Sequence, residues 1–335
     1  MKKIIGIFVC MLVIVATILP VAGTMNNRQL DVGVDSITSP DDCIPIGCQS
    51  IAAIIKNYGG ETADDIIVYA EIWELISDPN GTLVYQDTDT VTNLNPGITQ
   101  LVTFDDYCFT VEGQYILVIC TALSGDTNPA NDCIDMFITV DGTPPVTTHL
   151  INPPAPDGLN GWYVTCPTIT LTADDIGCCG VDKTYYRLDS TSPSDPFIEY
   201  TGTPVGPICD CKHTLEYYSV DTCGNEETVN SVDFKVDTTP PTINYFRFMI
   251  PIWPIPPIVV HVCIAHVQDA CSGILKVEFY AVVPPNPPTP FRTRFPSSPT
   301  PSSWDTFALK FAPLGASFNF YAIVYDVAGH SAVGT

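Results

Sequence analysis

Lysine and arginine are scarce. The 335-residue chain holds thirteen of them against thirty-seven aspartates and glutamates, which makes its formal net charge -24. The acid content is ordinary for a globular protein and the base content far below ordinary, so the acidity is a deficit of base. Such a surface is a poor partner for DNA, RNA or anionic membranes, because affinity for phosphate comes mostly from counterion release by basic side chains. Other absences narrow the reading further. After the N-terminal segment there is no convincing amphipathic helix, there are no HExxH, GxSxG or phosphate-loop strings, and only five histidines occur in all. Nothing points to nucleophilic, zinc-dependent or nucleotide-dependent catalysis. Acidic disorder is excluded as well, since aromatics make 10% and hydrophobic residues 46% of the chain. Length suits two or three domains.

What is present begins with an export signal. Met1, Lys2 and Lys3 precede an apolar run from Ile4 to Leu19, and Pro20-Val21-Ala22-Gly23 follows. This positive, hydrophobic, small-residue succession predicts a signal peptide over residues 1–23, with an uncleaved signal-anchor as the alternative. Membrane contact is expected only through that segment, or through an anchor beyond the C-terminus. Beyond Cys10, which lies mid-run, thirteen cysteines remain: Cys43, Cys48, Cys108, Cys120, Cys133, Cys166, Cys178, Cys179, Cys209, Cys211, Cys223, Cys263 and Cys271. An exported chain with this many cysteines predicts disulfides, and the odd count leaves at least one thiol over. The CxxC spacing of zinc sites is missing.

Alternating, β-branched and aromatic runs recur every ten to fifteen residues and are broken by Gly, Pro, Asn and Asp. The body therefore reads as all-β. Two similar strings punctuate it, VDGTPP from Val140 to Pro145 and VDTTPP from Val236 to Pro241. Their spacing is about one immunoglobulin-like sandwich, and Pro-Pro suits a short extended link better than a central strand. A second internal match joins ADDIGCCGVDKTYY from Ala173 to VQDACSGILKVEFY from Val267, and Asp221-Thr-Cys-Gly224-Asn225 to Asp326-Val-Ala-Gly329-His330. The expected architecture is three tandem immunoglobulin-like β-sandwiches over residues 30–141, 142–238 and 239–335, the last with a short or missing final strand. Seven strands are expected in the first, whose only basic side chain is Lys56.

The motifs carry family resemblances. IKNYGGETADD, NLNPGITQLVTF and EGQYILVICTALSGDTNPANDC in the first region resemble a CARDB unit, the adhesion-related immunoglobulin-like domain of bacterial and archaeal surface proteins. NGWYVTCPTITLTADD, TYYRLD, YTGTPV and HTLEYYSVDTCGNEE in the second resemble an immunoglobulin-like repeat of secreted and surface proteins. The third resembles generic bacterial immunoglobulin-like repeats through D-x-CSGILKVEFY and YAIVYDVAGH. The resemblances imply an extracellular, repeat-built protein, and none implies an active site. Their families are usually poor in cysteine, which this chain is not.

Such a sandwich gathers its BC and FG loops at one end and its AB and EF loops at the other, and that arrangement constrains the cysteines. Cys166 is expected to meet Cys209 or Cys211, and Cys178 or Cys179 to meet Cys223. In the first sandwich Cys43 or Cys48 suits Cys108, and Cys120 suits Cys133. The remaining thiols lie where consecutive sandwiches meet, so one of Cys43 and Cys48 can reach one of Cys178 and Cys179, and one of Cys209 and Cys211 can reach Cys271. Those bridges would stiffen the chain into a rod; the alternative is pairing within each sandwich with some thiols free.

Asp174, Asp175, Asp221 and Asn225 fall at one loop end of the second sandwich, and Asp269 and Asp326 at that of the third. Oxygen ligands from two loops suit Ca²⁺, and the same side chains also suit Asx-turns. Asp126, Asn128, Asn131 and Asp132 in the first pose the same choice. Calcium is the one candidate cofactor. Asn80-Gly81-Thr82 is a glycosylation sequon inside a strong turn. His261 and Cys263 share one strand face and His266 the other, so they make no three-ligand site. The proline-rich stretch 283–304, with Phe291, Arg292, Arg294, Phe295 and Trp304, reads as a protected edge strand or a recognition loop. Trp73, Trp162 and Trp253 are the candidates for a sugar platform, though core or linker packing suits them better. The expected function is a non-enzymatic, exported adhesion or structural protein whose partners are other surface proteins or glycans; the alternative is an accessory region of a larger secreted hydrolase.

Overall fold

The computed structural model describes residues 29–75, 81–249, 258–283, 287–298, 300–313 and 316–335. The signal segment, Asn80 and Trp253 lie outside the described residues. Every regular element among the described residues is a strand, and no sheet closes into a barrel. No described helix is long and apolar enough to cross a membrane. By its contacts the chain divides into two units, one of Met1–Pro145 with Asp174–Asp182 and Val220–Glu226, the other of Val146–Ala173, Lys183–Ser219 and Glu227–Thr335.

The first unit contains β1 (Val32–Ser39), β2 (Cys43–Pro45), β3 (Gly47–Asn57), β4 (Ile66–Glu74), β5 (Thr82–Val91), β6 (Thr99–Phe109), β7 (Gly113–Ala122) and β8 (Cys133–Asp141). A three-stranded sheet, β1-β3-β6, faces a five-stranded sheet, β2-β8-β7-β4-β5. Period-two alternation builds the core between them. On β4, Ile66, Val68, Ala70 and Ile72 are fully buried while Ile67, Tyr69, Glu71 and Trp73 point outward. The central β7 is apolar on both faces: Leu117 and Ile119 enter the main core, and Ile116, Val118 and Cys120 pack beneath Tyr69, Trp73 and Leu75. The sequence predicts seven strands here and the structure has eight. The extra one, β2, is too short to show a period; it is anchored by buried Ile44 and runs parallel to β8.

The second unit holds most of β9 (Val146–Asn152), β10 (Thr168–Asp174), β11 (Val181–Leu188), β12 (Ile198–Glu199), β13 (Cys211–Asp221) and β14 (Asn230–Val236), arranged as sheets β10-β9 and β12-β11-β13-β14. Ile169, Leu215 and Val236 centre their core. It also holds β15 (Thr242–Met249), β16 (Ile258–Gln268), β17 (Ile274–Val282), β18 (Pro290–Arg294), β19 (Ser303–Pro313), β20 (Asn319–Asp326) and β21 (Ser331–Gly334). These form sheets β15-β16-β19 and β18-β17-β20-β21 around Cys263, Ile274, Val277, Phe279 and Val324. The proline-rich stretch supplies β18, an edge strand paired, among the described residues, only with β17. Phe291 and Trp304 pack against the core, and Arg294 Nε donates to the Phe307 carbonyl at 2.9 Å. The arrangement is that of a proline-guarded sheet edge.

Candidate functional site

The most concentrated chemistry gathers around the two repeated strings. In the first unit Asp141, the aspartate of VDGTPP, meets Asp175 and Asp221, and one ligand atom from each lies within 4.8 Å of the others. Asp141 and Asp221 are 4% and 2% exposed. In the second unit Asp237, the aspartate of VDTTPP, makes the same kind of group with Asp326 and His330. Asp237 and Asp326 are fully buried, and Asp269 beside them is 5% exposed.

The two clusters follow the same bonding plan, with an additional backbone donor at Asp269 and at Asp326 in the second. The string aspartate takes its own turn with one oxygen and the next loop with the other: Asp141 Oδ1 accepts from Thr143 N at 3.0 Å and Oδ2 from Cys179 N at 3.0 Å, while Asp237 Oδ1 accepts from Thr239 N at 3.2 Å and Oδ2 from Ser272 N at 3.1 Å. The loop aspartate caps its own loop, Asp175 Oδ1 from Gly177 N at 2.9 Å, Asp269 Oδ1 from Cys271 N at 3.2 Å and Gly273 N at 2.6 Å. The third aspartate, the last residue of its strand, is held by the residue four positions on. Asn225 gives Asp221 its backbone N–H and its Nδ2, both at 2.8 Å; His330 gives Asp326 its backbone N–H at 2.8 Å and pairs Nδ1 with Oδ2 at 3.0 Å. Asn225 Nδ2 also reaches the Asp141 carbonyl at 3.2 Å. Gly177 leaves room for this: a Cβ there would run into the Asp141 carboxylate.

These carboxylates have little countercharge. The ion pairs of Lys56, Lys183, Arg187 and Lys276 go to Asp35, Glu199, Glu216 and Glu278 instead. Two like unit charges 4.8 Å apart repel by about 3 kcal/mol at an effective dielectric near 20. Burial, with Asp237 nearby, pushes the Asp269 and Asp326 carboxyls up despite their N–H donors. Backbone dipoles offset part of this repulsion and leave the rest in place.

Asp174, grouped with Asp175 in the sequence reading, is outside the cluster. Neighbours on a strand point to opposite faces, and Asp174 ends β10 in solvent. The sequence reading missed Asp141 and Asp237. Their signal was the repeated string itself, which was read only as a link. In the first sandwich the corresponding residues tie their loop to the start of β1: Asp126 accepts from Val32 N and Asn128 N, each at 2.8 Å, and Asn131 Nδ2 donates to Asp31 Oδ1 at 2.8 Å.

The disulfides run beside the acidic clusters. Cys43 is bonded to Cys178 and Cys179 to Cys223, with the Cys43 and Cys179 sulfurs 2.9 Å apart. In the second unit Cys211 is bonded to Cys271, next to Asp269. Cys48–Cys108, Cys120–Cys133 and Cys166–Cys209 complete the pairs, and Cys263 is free and buried. Of the other candidates, His261 is buried against Phe318 and Phe320, and His266 pairs with Asp305 at 2.7 Å. Trp162 is 4% exposed beneath Lys235, and Trp73 packs over β7, so neither offers a flat sugar platform.

No family model and no curated protein matches the chain. Among solved structures it is similar to the CARDB domain of a Pyrococcus furiosus protein in complex with di-metal ions, at 23% identity over 34% of this chain and 94% of that one, with a TM-score of 0.27. It is also similar to the fibronectin(III)-like modules of CbhA from Clostridium thermocellum, at 15% identity over 61% of this chain and 93% of that one, with a TM-score of 0.25.

Proposed function

We propose that the chain is an exported structural or adhesion protein of the cell surface or extracellular space, with no catalytic activity of its own. Its three sandwiches, over residues 30–141, 142–238 and 239–335, act as spacers that present surfaces to other surface proteins or glycans. One observation carries this reading: at each repeated string a disulfide ties one sandwich to a loop of the next, Cys43 to Cys178 and Cys211 to Cys271. Such bonds persist in oxidising compartments and are reduced in most cytosols. The buried acidic groups support the same reading, because their hydrogen bonds fasten loop and linker backbone.

Protease shaving and membrane-impermeant biotinylation of intact producing cells test it, combined with thiol trapping before lysis. The expected result is a labelled, shaved chain whose mature body resists trapping while native and holds one cysteine that alkylates after denaturation. A protected chain with all its thiols reduced would overturn the proposal.

A further inference from the structure

Lys212 and Lys235 stand directly opposite each other on β13 and β14. The Lys235 carbonyl turns away from β13 to accept from Tyr163 N at 2.9 Å, so this is the non-hydrogen-bonded kind of antiparallel pair, whose side chains are closest. Like charges placed this way destabilise a sheet. The chain is poor in base, yet the second sandwich puts two of its four lysines and arginines into this pair. Its other two, Lys183 and Arg187, are ion-paired with Glu199 and Glu216, whereas Lys212 and Lys235 have no ion pair among the described residues. Lys235 is held in place. Its Nζ lies 5.2 Å from the centre of the buried Trp162 ring, and a Cβ added at Gly161 would come within 3.9 Å of it.

Both lysines line a depression of about 800 Å³ in the second unit, together with Asp189, Ser190, Thr214 and Asp233. The acids there are engaged by other neighbours. Asp189 accepts from Thr214 N at 2.9 Å and pairs with His213 Nδ1 at 2.7 Å, and Asp233 accepts from Thr214 Oγ1 at 2.6 Å. We propose that this depression binds an acidic sugar through a single carboxylate held between the two ammonium groups. A carboxylate there replaces the repulsion between the lysines with two charge-assisted hydrogen bonds. The flanking Asp189 and Asp233 oppose a second negative charge, which disfavours sulfated or phosphorylated polymers. Their oxygens accept hydrogen bonds from hydroxyls instead, and Ser190 adds a hydroxyl of its own. The lining therefore suits a ligand with one carboxylate and several hydroxyls. This gives a chemistry to the glycan partner of the proposed function and rests on that reading.

Saturation-transfer NMR of the full chain, titrated separately with glucuronate, glucose and acetate, tests it. Glucuronate is expected to bind at least about ten-fold tighter than either of the others. Lys212→Gln and Lys235→Gln should each weaken it by about ten-fold, the loss of one charged hydrogen bond. Lys183→Gln, outside the depression, should leave it unchanged. Circular dichroism shows whether each variant is folded. The proposal is overturned if glucuronate does not bind, if glucose or acetate binds as well as glucuronate, or if either folded variant, Lys212→Gln or Lys235→Gln, binds it like the unaltered chain. Surface shaving and thiol trapping do not depend on this depression, so its failure would leave the structural reading standing.

Discussion

Asp132 and Cys263 show how burial changes a side chain's behaviour. Burial, with Asp126 and Asp31 nearby, raises the Asp132 carboxyl to about 6, and its Oδ1 has no hydrogen-bond partner. Between about pH 4, the unfolded value, and about pH 6 the folded state therefore binds a proton that the unfolded state does not. This residue's contribution to stability falls as pH rises through that window, and its penalty is complete above it. Asp132→Asn should raise the melting temperature at pH 7 by about 2–4 °C and leave it nearly unchanged at pH 4; equal shifts at both pH values would contradict the assignment. Burial likewise pushes the Cys263 thiol up to about 11. Under native conditions at pH 8 it should resist alkylation and then react once per chain in denaturant. The odd cysteine was evident from counting, but its identity was not, because parity carries no position.

Strands were the most legible elements. Alternation marks β4, β13 and β20 clearly, since every second residue is buried from Ile66 to Ile72, from Leu215 to Asp221 and from Ala322 to Asp326. The apolar run of β7 has no such period, and it is buried on both faces because Trp73 and Tyr69 cover its outer side. Leu117→Ala, at a fully buried position on this central strand, should cost about 2–5 kcal/mol. Chemical denaturation measures that cost directly, and a loss under 1 kcal/mol would mean the strand is not central. Loops were less legible. Asp174 and Asp175 are adjacent in sequence, and only the strand's end decides which one turns inward. Gly273 shows a constraint that composition hides: its φ is +83°, and its N–H reaches Asp269 at 2.6 Å. An added Cβ would strike the Thr300 carbonyl. Gly273→Ala should therefore destabilise this loop and, with it, the second acidic cluster; an unchanged melting temperature would show that the left-handed turn is not required.

The deficit of base is not spread evenly along the chain. Residues 30–141 hold nineteen acidic side chains and one lysine, residues 142–238 fourteen and four, and residues 239–335 four acidic and five basic. Much of that acid is exposed, which favours solubility and opposes polyanion binding. A smaller part is buried at the two repeated strings. The strings read in the sequence as domain links, while their aspartates were not legible as cluster members, because the partners come from loops distant in sequence. The cross-links were legible as open alternatives, and the structure selects Cys43–Cys178 and Cys211–Cys271, separated by 135 and 60 residues. In the chain-entropy model loops of that length are worth about 5 and 4 kcal/mol. The central claim is that consecutive sandwiches are covalently tied at their linkers, and peptide mapping under non-reducing conditions tests it most directly. The account predicts a Cys43 peptide joined to the one carrying Cys178 and Cys179, and a Cys211 peptide joined to the one carrying Cys271. A map in which Cys43 and Cys211 pair only inside their own sandwiches, or remain free, would contradict it.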